Sequence, residues 1–294
     1  MNKEMFDFIF QLLEVFKPYY ALFAGVIALL IVAVIVIYAV KIAKYRRSTY
    51  YADTGKGFFE VESDKGALGE YMTYDNLKSY EKYGAKFLFN VYLPKEDKTT
   101  TELDVIMISP KGVFVFESKN YSGWIFGSDK DAYWTQTLPT GKKSTKKKFY
   151  NPVWQNKSHI ESLKKAVGED IPICSVIVFS DRCELKKVDV ALENAVVINR
   201  REVENTVTVL MDKYEKIADA DTVEVIYNKL KPFTEMTNEQ KEKHIKDIEE
   251  KNSSDICPRC KSKLAIRTVK SGANAGKRFY GCSNYPKCRY TRDI

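Results

Sequence analysis

An uncharged apolar run from Tyr19 to Val40 constrains this chain more than any other feature. A helix needs about 20 apolar residues to cross a hydrocarbon core, and this run is long enough. It is too long for the apolar region of a signal peptide, and no small-residue cleavage site follows it. A core helix of a soluble protein seldom runs this far without a polar residue. We therefore expect a transmembrane helix over about 19–40, within a membrane anchor formed by residues 1–47.

The charges that flank this run predict its orientation. Lys41, Lys44, Arg46 and Arg47 follow it, whereas acidic and basic residues are mixed before it. Lys and Arg are enriched on the cytoplasmic side of membrane helices. The sequence thus predicts a single-pass protein whose C-terminal domains lie in the cytoplasm, joined to the anchor by a linker at 48–64. The segment 5–16 could lie along the outer interface or form a second hydrophobic element.

The basic character of the chain belongs to its C-terminus. The formal net charge is +8 over 294 residues, and ten Lys or Arg against two Asp in 255–294 account for all of it. A basic segment of this kind favours a polyanion as partner. Four of the six cysteines also lie there, which is not the pattern of a small secreted disulfide scaffold.

Two apolar strands joined by a turn at Pro110-Lys111 occupy residues 103–119. A hairpin about this turn places Asp104 opposite Glu117, and side-chain alternation puts Glu117 and Lys119 on one face. Directly opposed side chains have Cβ atoms about 4.5–5.5 Å apart, and like charges at that distance repel. A divalent cation would relieve the conflict, and oxygen ligands suit Mg²⁺ or Mn²⁺. The alternative is a pair of surface charges at strand ends, each paired with a lysine.

Alternating helix and strand patterns predict an α/β domain over residues 65–232, with helices around a central mixed sheet. Leu68, Met72 and Leu77 suggest the apolar face of the first helix. Expected helices cover 66–83, 151–167, 201–214 and 222–231. Expected strands cover 86–93, 103–109, 112–119, a short stretch around Trp124, 173–180 and 195–199. A flexible loop with five lysines is expected at 141–148.

This domain resembles the nuclease-related domain, NERD, of the PD-(D/E)xK nuclease superfamily. The resemblance is carried by Gly69-Glu70, Glu102-Leu103-Asp104-Val105, Ser109-Pro110-Lys111-Gly112-Val113-Phe114-Val115, Glu117-Ser118-Lys119-Asn120-Tyr121-Ser122-Gly123 and Asn151-Pro152 with Gln155 and His159. It implies a restriction-endonuclease-like fold. Leu103 replaces the Pro of the superfamily name, and Ser118 stands where an apolar residue is more usual.

The resemblance also implies roles for five catalytic residues. Asp104 and Glu117 would hold the divalent ion, and Glu70 would complete the acidic cluster. Lys119 would orient or help deprotonate the attacking water and stabilise charge on the phosphate, and Gln155 would reach the site from the following helix. His159 is expected to be structural or to contact phosphate, and His244 to be solvated. The five-lysine loop is either a solvated surface loop or a phosphate contact.

Cys257, Cys260, Cys282 and Cys288 form two close pairs, which suit tetrahedral Zn²⁺. Residues 255–294 resemble the four-cysteine zinc finger at the C-terminus of type IA topoisomerases, through Cys257-Pro258-Arg259-Cys260 and Lys277 to Cys288. This resemblance implies binding of single-stranded DNA, because rings stack on bases while cations contact phosphates. The residues assigned to DNA are Lys277, Arg278, Phe279, Tyr280, Tyr285, Lys287, Arg289 and Tyr290. A zinc ribbon that contacts protein is the alternative.

These parts predict a membrane-tethered, metal-dependent DNA endonuclease with a structural zinc ion and no small-molecule cofactor. Residues 233–254 are expected to form a charged helical linker between the two modules. One alternative is a non-catalytic DNA-binding or membrane-recruiting protein that keeps the nuclease fold. Another is the same site acting on RNA.

Overall fold

The computed structural model describes most of the chain, in two compact units, Met1–Ser63 and Asp64–Ile294. The described residues are 3–95, 99–141, 143–168, 171–192, 195–213, 220–235, four single positions between 240 and 246, 256–257, 259–260, 262–269 and 275–293. Most of the linker expected at 233–254 therefore lies outside the described residues.

The first unit is dominated by one long helix, α1 (Lys3–Arg46). Its segment Leu22–Arg46 contains a stretch with a mean hydropathy of 3.0, and none of that stretch is buried within the protein. By length and composition this helix could cross a membrane. The apolar residues 5–16 continue the same helix and do not form a separate element.

Two short helices, α2 (Thr49–Thr54) and α3 (Phe58–Ser63), occupy most of the segment expected to be a linker. Tyr45, at the end of α1, is fully buried and its ring packs 5.6 Å from that of Phe58. The Tyr45 hydroxyl donates to the Lys56 carbonyl oxygen at 2.6 Å. This aromatic cluster folds the chain back on itself directly after α1.

The second unit holds four helices and twelve strands among its described residues. The helices are α4 (Lys65–Leu77), α5 (Pro152–Val167), α6 (Val203–Asp212) and α7 (Ala220–Leu230). The strands are β1 (Lys86–Pro94), β2 (Thr100–Ser109), β3 (Gly112–Lys119), β4 (Gly123–Ser128), β5 (Tyr133–Thr140), β6 (Lys143–Tyr150), β7 (Ile173–Phe179), β8 (Cys183–Asp189), β9 (Ala195–Asn199), β10 (Leu264–Thr268), β11 (Arg278–Cys282) and β12 (Thr291–Asp293). Short 3₁₀ helices follow α4, β9 and α7.

A mixed five-stranded sheet in the order β1-β2-β3-β7-β9 forms the centre of the domain. The pairs β1–β2 and β2–β3 are antiparallel, whereas β3–β7 and β7–β9 are parallel. All of β7 is buried, as its continuous apolar sequence predicts for a strand covered on both faces. This sheet confirms the expected α/β architecture.

Helices cover both faces of this sheet. Tyr74 of α4 packs its ring edge-on to Phe87 and Phe89, at 5.1 and 5.2 Å. Leu88, between them, belongs instead to the core that contains Leu163 of α5 and α7 residues. Because neighbouring side chains on a strand point to opposite faces, α4 and α5 lie on opposite sides of the sheet. The buried face of α4 carries Ala67, Gly69, Glu70, Thr73, Tyr74 and Leu77.

The prediction that Leu68, Met72 and Leu77 form the buried face of α4 was therefore partly wrong. Met72 is 38% exposed, and the polar side chains of Glu70 and Thr73 are buried in its place. A helix that carries a site residue inward need not bury its most apolar face.

A second, four-stranded sheet in the order β6-β5-β4-β8 lies beside the first. The prediction of a flexible loop at 141–148 was wrong, because residues 143–150 pair with β5 as an edge strand. Trp134 of β5 is fully buried and stacks on Phe179 of β7 at 6.1 Å, so this sheet packs on the central one. Strands β5, β6 and β8 were not predicted from the sequence.

The zinc module packs against this second sheet. Tyr290 is 5% exposed, and its hydroxyl accepts a hydrogen bond of 2.8 Å from that of Tyr133 on β5. Arg259 lies over the ring of Trp154, 5.5 Å from its centre. The C-terminal module and the α/β domain therefore share a contact.

The expectation that His244 is solvated was wrong. His244 is 7% exposed, and its Nδ1 lies 2.6 Å from the Thr100 hydroxyl. Its ring also packs edge-on to Tyr92 at 5.4 Å. A lone histidine in a Lys/Glu-rich stretch gives no sequence signal for this contact, which fastens part of the linker to β1 and β2.

We predict that Gly127→Ala destabilises the α/β domain by at least about 2 kcal/mol, because overpacking a tight core costs about 1–3 kcal/mol or more. A Cβ at Gly127 would overlap Cγ of the buried Trp134, so the ring or strand must move. Urea unfolding of the detergent-solubilised chain, followed by near-ultraviolet circular dichroism, measures the change. Gly57→Ala is the control, because its nearest neighbour would be 3.9 Å away. Equal stability of the two variants would contradict the packing described for Trp134.

Candidate active site and zinc module

The β2–β3 hairpin has the register expected from the sequence, with pairs from Ser109–Gly112 to Val105–Phe116. The next residues along the two strands are Asp104 and Glu117, which are close enough for the charge of Glu117 to raise the pKa of Asp104. Here Asp104 Oδ2 accepts the Ser118 backbone N–H at 2.9 Å. The hairpin therefore delivers both carboxylates to one end of the central sheet.

Glu117 is 1% exposed, and both of its carboxylate oxygens have partners. Oε1 accepts from Lys119 Nζ at 2.6 Å, and Oε2 lies 3.1 Å from His159 Nε2. The other ring nitrogen of His159 lies 2.6 Å from the Thr101 hydroxyl. Buried ions need such partners. His159 thus holds Glu117 in place, which is the structural one of the two roles expected for it.

Helix α5 brings Gln155 to the same cluster, where its Oε1 accepts from Lys119 Nζ at 3.1 Å. Two asparagines fix the position of this helix. Asn151 caps its N-terminus by accepting the Val153 N–H at 2.9 Å. Asn156 donates from Nδ2 to the Val115 carbonyl oxygen at 3.0 Å, which ties α5 to β3.

Glu70 reaches the cluster from α4 and is 8% exposed. Asn90 donates from Nδ2 to its Oε2 at 3.0 Å. Asn90 is the one non-glycine residue with positive φ, +50°, among those described. Such backbone strain often occurs at functional sites. The sequence reasoning missed Asn90, although an Asn between Phe89 and Val91 is a polar interruption that could have marked it.

The electrostatics of this cluster reflect its excess of carboxyl groups over cations. Burial, together with the charges of Glu117 and Glu70, raises the pKa of Asp104 well above its usual value. Burial alone would also raise the pKa of Glu117, but Lys119 and His159 outweigh it and lower that pKa to about 2. Burial would lower the pKa of Lys119, but Glu117 and Asp104 raise it. Lys119 is therefore a charged ammonium at neutral pH.

The structure thus brings together all five residues assigned to the site, Glu70, Asp104, Glu117, Lys119 and Gln155. One ammonium faces three carboxyl groups. The resulting deficit of positive charge and the oxygen donor set fit a hard divalent cation.

The four cysteines of the C-terminal module converge, with all Sγ atoms within 4.8 Å of one another. Tetrahedral Zn–S bonds of about 2.3 Å separate the sulfur atoms by about 3.8 Å. The Sγ atoms of Cys257 and Cys288 lie 3.7 Å apart, and those of Cys260 and Cys282 lie 3.3 Å apart. The four thiols are arranged for a structural zinc ion, as the sequence predicted.

The residues assigned to DNA occupy different environments in this module. Tyr285 is 60% exposed and available for stacking, with Arg267 5.7 Å from its ring centre. Tyr280 is half-buried beneath Arg292, at 4.6 Å. The burial of Tyr290 against Tyr133 removes its ring from the stacking surface. The cations Lys277, Arg278, Lys287 and Arg289 are exposed, and Phe279 is half-buried.

Comparison with known proteins gives two matches to protein families. The nuclease-related domain matches residues 65–180, and the topoisomerase DNA-binding C4 zinc finger matches residues 254–294. An uncharacterized protein of Bacillus anthracis is 32% identical over 188 residues, which cover 64% of this chain and 85% of that protein. DNA topoisomerase 1 of Methanocaldococcus jannaschii is 48% identical over 50 residues, 17% of this chain but 6% of the topoisomerase. No solved structure matches the chain significantly.

The α/β domain and the four-cysteine module are those of a nuclease-like, DNA-binding class of protein. The chain belongs to the nuclease-related domain family, and it carries a topoisomerase-type C4 zinc finger.

The pKa of Glu117 predicts how acid affects stability. A folded pKa of about 2 against a usual value of 4.5 means that its charge stabilises the fold fully above pH 4.5. This contribution is lost as the pH falls towards 2. In Glu117→Gln the free energy of unfolding should therefore fall less steeply over this interval, as urea titrations at several pH values measure. Glu235→Gln, at an exposed position, should keep the wild-type slope; a wild-type slope in Glu117→Gln would contradict the assigned pKa.

Zinc should hold the C-terminal module together, because a structural zinc ion supplies folding free energy in such short segments. We predict about one zinc ion per purified chain. Cys282→Ser should lose at least half of it, as measured by metal analysis after dialysis. Cys183→Ser removes a buried thiol outside this cluster and should keep the zinc content. Full zinc retention in Cys282→Ser would show that this thiol is not a ligand.

Proposed function

We propose that this protein is a membrane-tethered, metal-dependent DNA endonuclease. The observation that carries the proposal is the buried cluster at the end of the β2–β3 hairpin, where Glu117 and Lys119 are 2.6 Å apart and Asp104 is adjacent. Membership of the nuclease-related domain family supports it.

Asp104 and Glu117 would hold Mg²⁺ or Mn²⁺, with Glu70 completing the acidic wall. When bound, this ion would supply Lewis acidity towards the phosphodiester. His159 keeps Glu117 oriented through its 3.1 Å contact. The carboxylate oxygens are the donors that such an ion prefers, and the cluster has more carboxyl groups than cations; both features support this ligand set.

Lys119 would stabilise the negative charge that develops on the phosphate. Two of its three ammonium N–H groups are directed to Glu117 and Gln155. The third can donate to the phosphate or to the attacking water. Because the neighbouring carboxylates raise its pKa, the charge-stabilising role is favoured over that of a base. Gln155 positions the ammonium, which reduces reorganisation during the reaction.

The zinc module would bind DNA, with a preference for single strands. The exposed Tyr285 ring and the cations around it support stacking on bases and contact with phosphates. The 48% identity to a DNA topoisomerase supports the same ligand.

The cleavage test uses the full chain in nanodiscs of neutral lipid, with labelled single- and double-stranded DNA and Mg²⁺ or Mn²⁺. We expect cleavage, and a loss of at least about 100-fold in Asp104→Asn and in Lys119→Met, since removing one electrostatic contact typically costs 10²–10³ in rate. Asp212→Asn, an exposed carboxylate at the end of α6, should cleave as wild type does.

Three results would count against this proposal. Cleavage that persists in both site variants would reject the assigned residues. Absence of cleavage, together with salt-sensitive DNA binding that needs the zinc module, would favour the non-catalytic DNA-binding alternative. Cleavage of RNA in preference to DNA would reassign the substrate.

We also propose that α1 spans the membrane with the C-terminal domains in the cytoplasm, as the basic residues after its apolar segment favour. A cysteine placed at exposed Lys187 should be protected from a membrane-impermeant maleimide in intact cells and labelled after permeabilisation. A cysteine near the N-terminus, at Asn2, should show the opposite pattern. Labelling of the Lys187 position in intact cells would reverse the proposed orientation.

A further inference from the structure

A cleft of about 360 Å³ lies beside the end of β3. Four cationic residues line it, and no carboxylate does among the described residues around it. The cations are Lys65, Lys147, Lys148 and Arg182. Such a concentration of one charge sign attracts a polyanion.

The cleft adjoins the acidic cluster. Asn120 and Tyr121, which line it, directly follow Lys119 in the chain. Successive Cα atoms are about 3.8 Å apart, so the Cα of Tyr121 lies within about 7.6 Å of that of Lys119. The Tyr121 N–H also donates to the Lys119 carbonyl oxygen at 2.9 Å, which turns the chain from the cluster into the cleft.

The basic wall of the cleft is held in place by Asn120. Arg182 donates from Nη2 to the Asn120 side-chain and backbone oxygens at 3.0 and 3.2 Å. Asn120 in turn donates from Nδ2 to the Lys65 carbonyl oxygen at 2.9 Å. The first turn of α4, the end of β3 and the start of β8 are thus joined at the rim, so Arg182 and the backbone of Lys65 are positioned before any ligand arrives.

The cleft also has aromatic walls. Tyr121 and Phe149, both half-buried, contact each other edge-on at 5.0 Å and line it. Its volume falls in the range of about 300–1,000 Å³ of small-molecule pockets, which suits one or two nucleotides of a single strand better than a duplex. Aromatic rings beside cations are the recurrent arrangement for binding unpaired nucleotides.

We propose that this cleft binds a single DNA strand next to the acidic cluster, with its cations on the phosphates and Tyr121 against a base. The inference rests on the proposed nuclease function, because it names the path by which the substrate reaches that site. It gives a function to Lys147 and Lys148, which lie on the exposed edge strand β6.

The test measures binding rather than cleavage. Full-length Asp104→Asn protein in neutral nanodiscs is titrated with a fluorescent single-stranded oligonucleotide at several salt concentrations. Adding Lys65→Gln, Lys147→Gln and Lys148→Gln should weaken binding at least tenfold. The slope of log affinity against log salt should become less steep by about 2, since each phosphate contact on a single strand contributes about 0.7.

The charge-matched control carries Lys82→Gln, Lys187→Gln and Lys213→Gln, three exposed lysines outside the cleft. It should keep the parent slope and affinity within about twofold, because removal of net charge alone acts weakly at physiological salt. Arginine at Lys147 and Lys148 should restore most of the binding lost when both are glutamine.

Equal affinity and slope in the cleft variant and the control would overturn the proposal. A duplex that loses as much affinity as the single strand would overturn the assignment to a single strand. If the wild-type protein fails to cut DNA while the cleft variant still loses affinity and slope, the proposed catalysis fails and the cleft stands as a binding site.

Discussion

The contact between Glu117 and Lys119 is the interaction on which the arrangement of this domain depends. A carboxylate that is 1% exposed needs compensation, and it receives it from an ammonium 2.6 Å away and a histidine 3.1 Å away. Since Lys119 also bonds to Gln155, the pair fixes the strand end against α5. Asp104 adds a further carboxyl group without a further cation, so the site holds more carboxyl groups than cations.

An excess of buried carboxyl groups over cations costs stability, and the divalent cation proposed above would offset that cost. Burial and two neighbouring carboxylates raise the pKa of Asp104, so the fold holds this group against its ordinary ionisation. The positive φ of Asn90, whose side chain holds Glu70, is a second local cost at the same place. Costs concentrated at one end of a sheet are typical of functional sites.

The parts that the sequence predicted correctly are those encoded by local patterns. The turn at Pro110-Lys111 fixes the hairpin register, Asn151 with Pro152 marks the start of α5, and four cysteines define the zinc cluster. Strands β5 and β6 were missed because they pair within the second sheet and not within the central one. The lysines of β6 also obscure the alternation of apolar and polar residues that marks a strand. His244 and Tyr290 were misread because their burial depends on distant residues, Thr100 and Tyr133.

The second sheet connects the functional parts of the molecule. Its β5–β6 hairpin contacts the zinc module through Tyr133 on one face, while Gln136 and Lys147 line the basic cleft from the other. Residues 133 and 136 lie on opposite faces of β5, because side chains alternate along a strand. The zinc module and the basic cleft therefore lie on opposite faces of the same hairpin.

The central claim is that the buried carboxylates form a binding site for a divalent cation, and titration with Mn²⁺ followed by electron paramagnetic resonance tests it most directly. Full-length protein should remove free Mn²⁺ from solution by binding at least one ion per chain. Asp104→Asn should lose this binding, and Asp212→Asn should retain it. Binding that is equal in all three proteins, or absent from the wild type, would contradict the account.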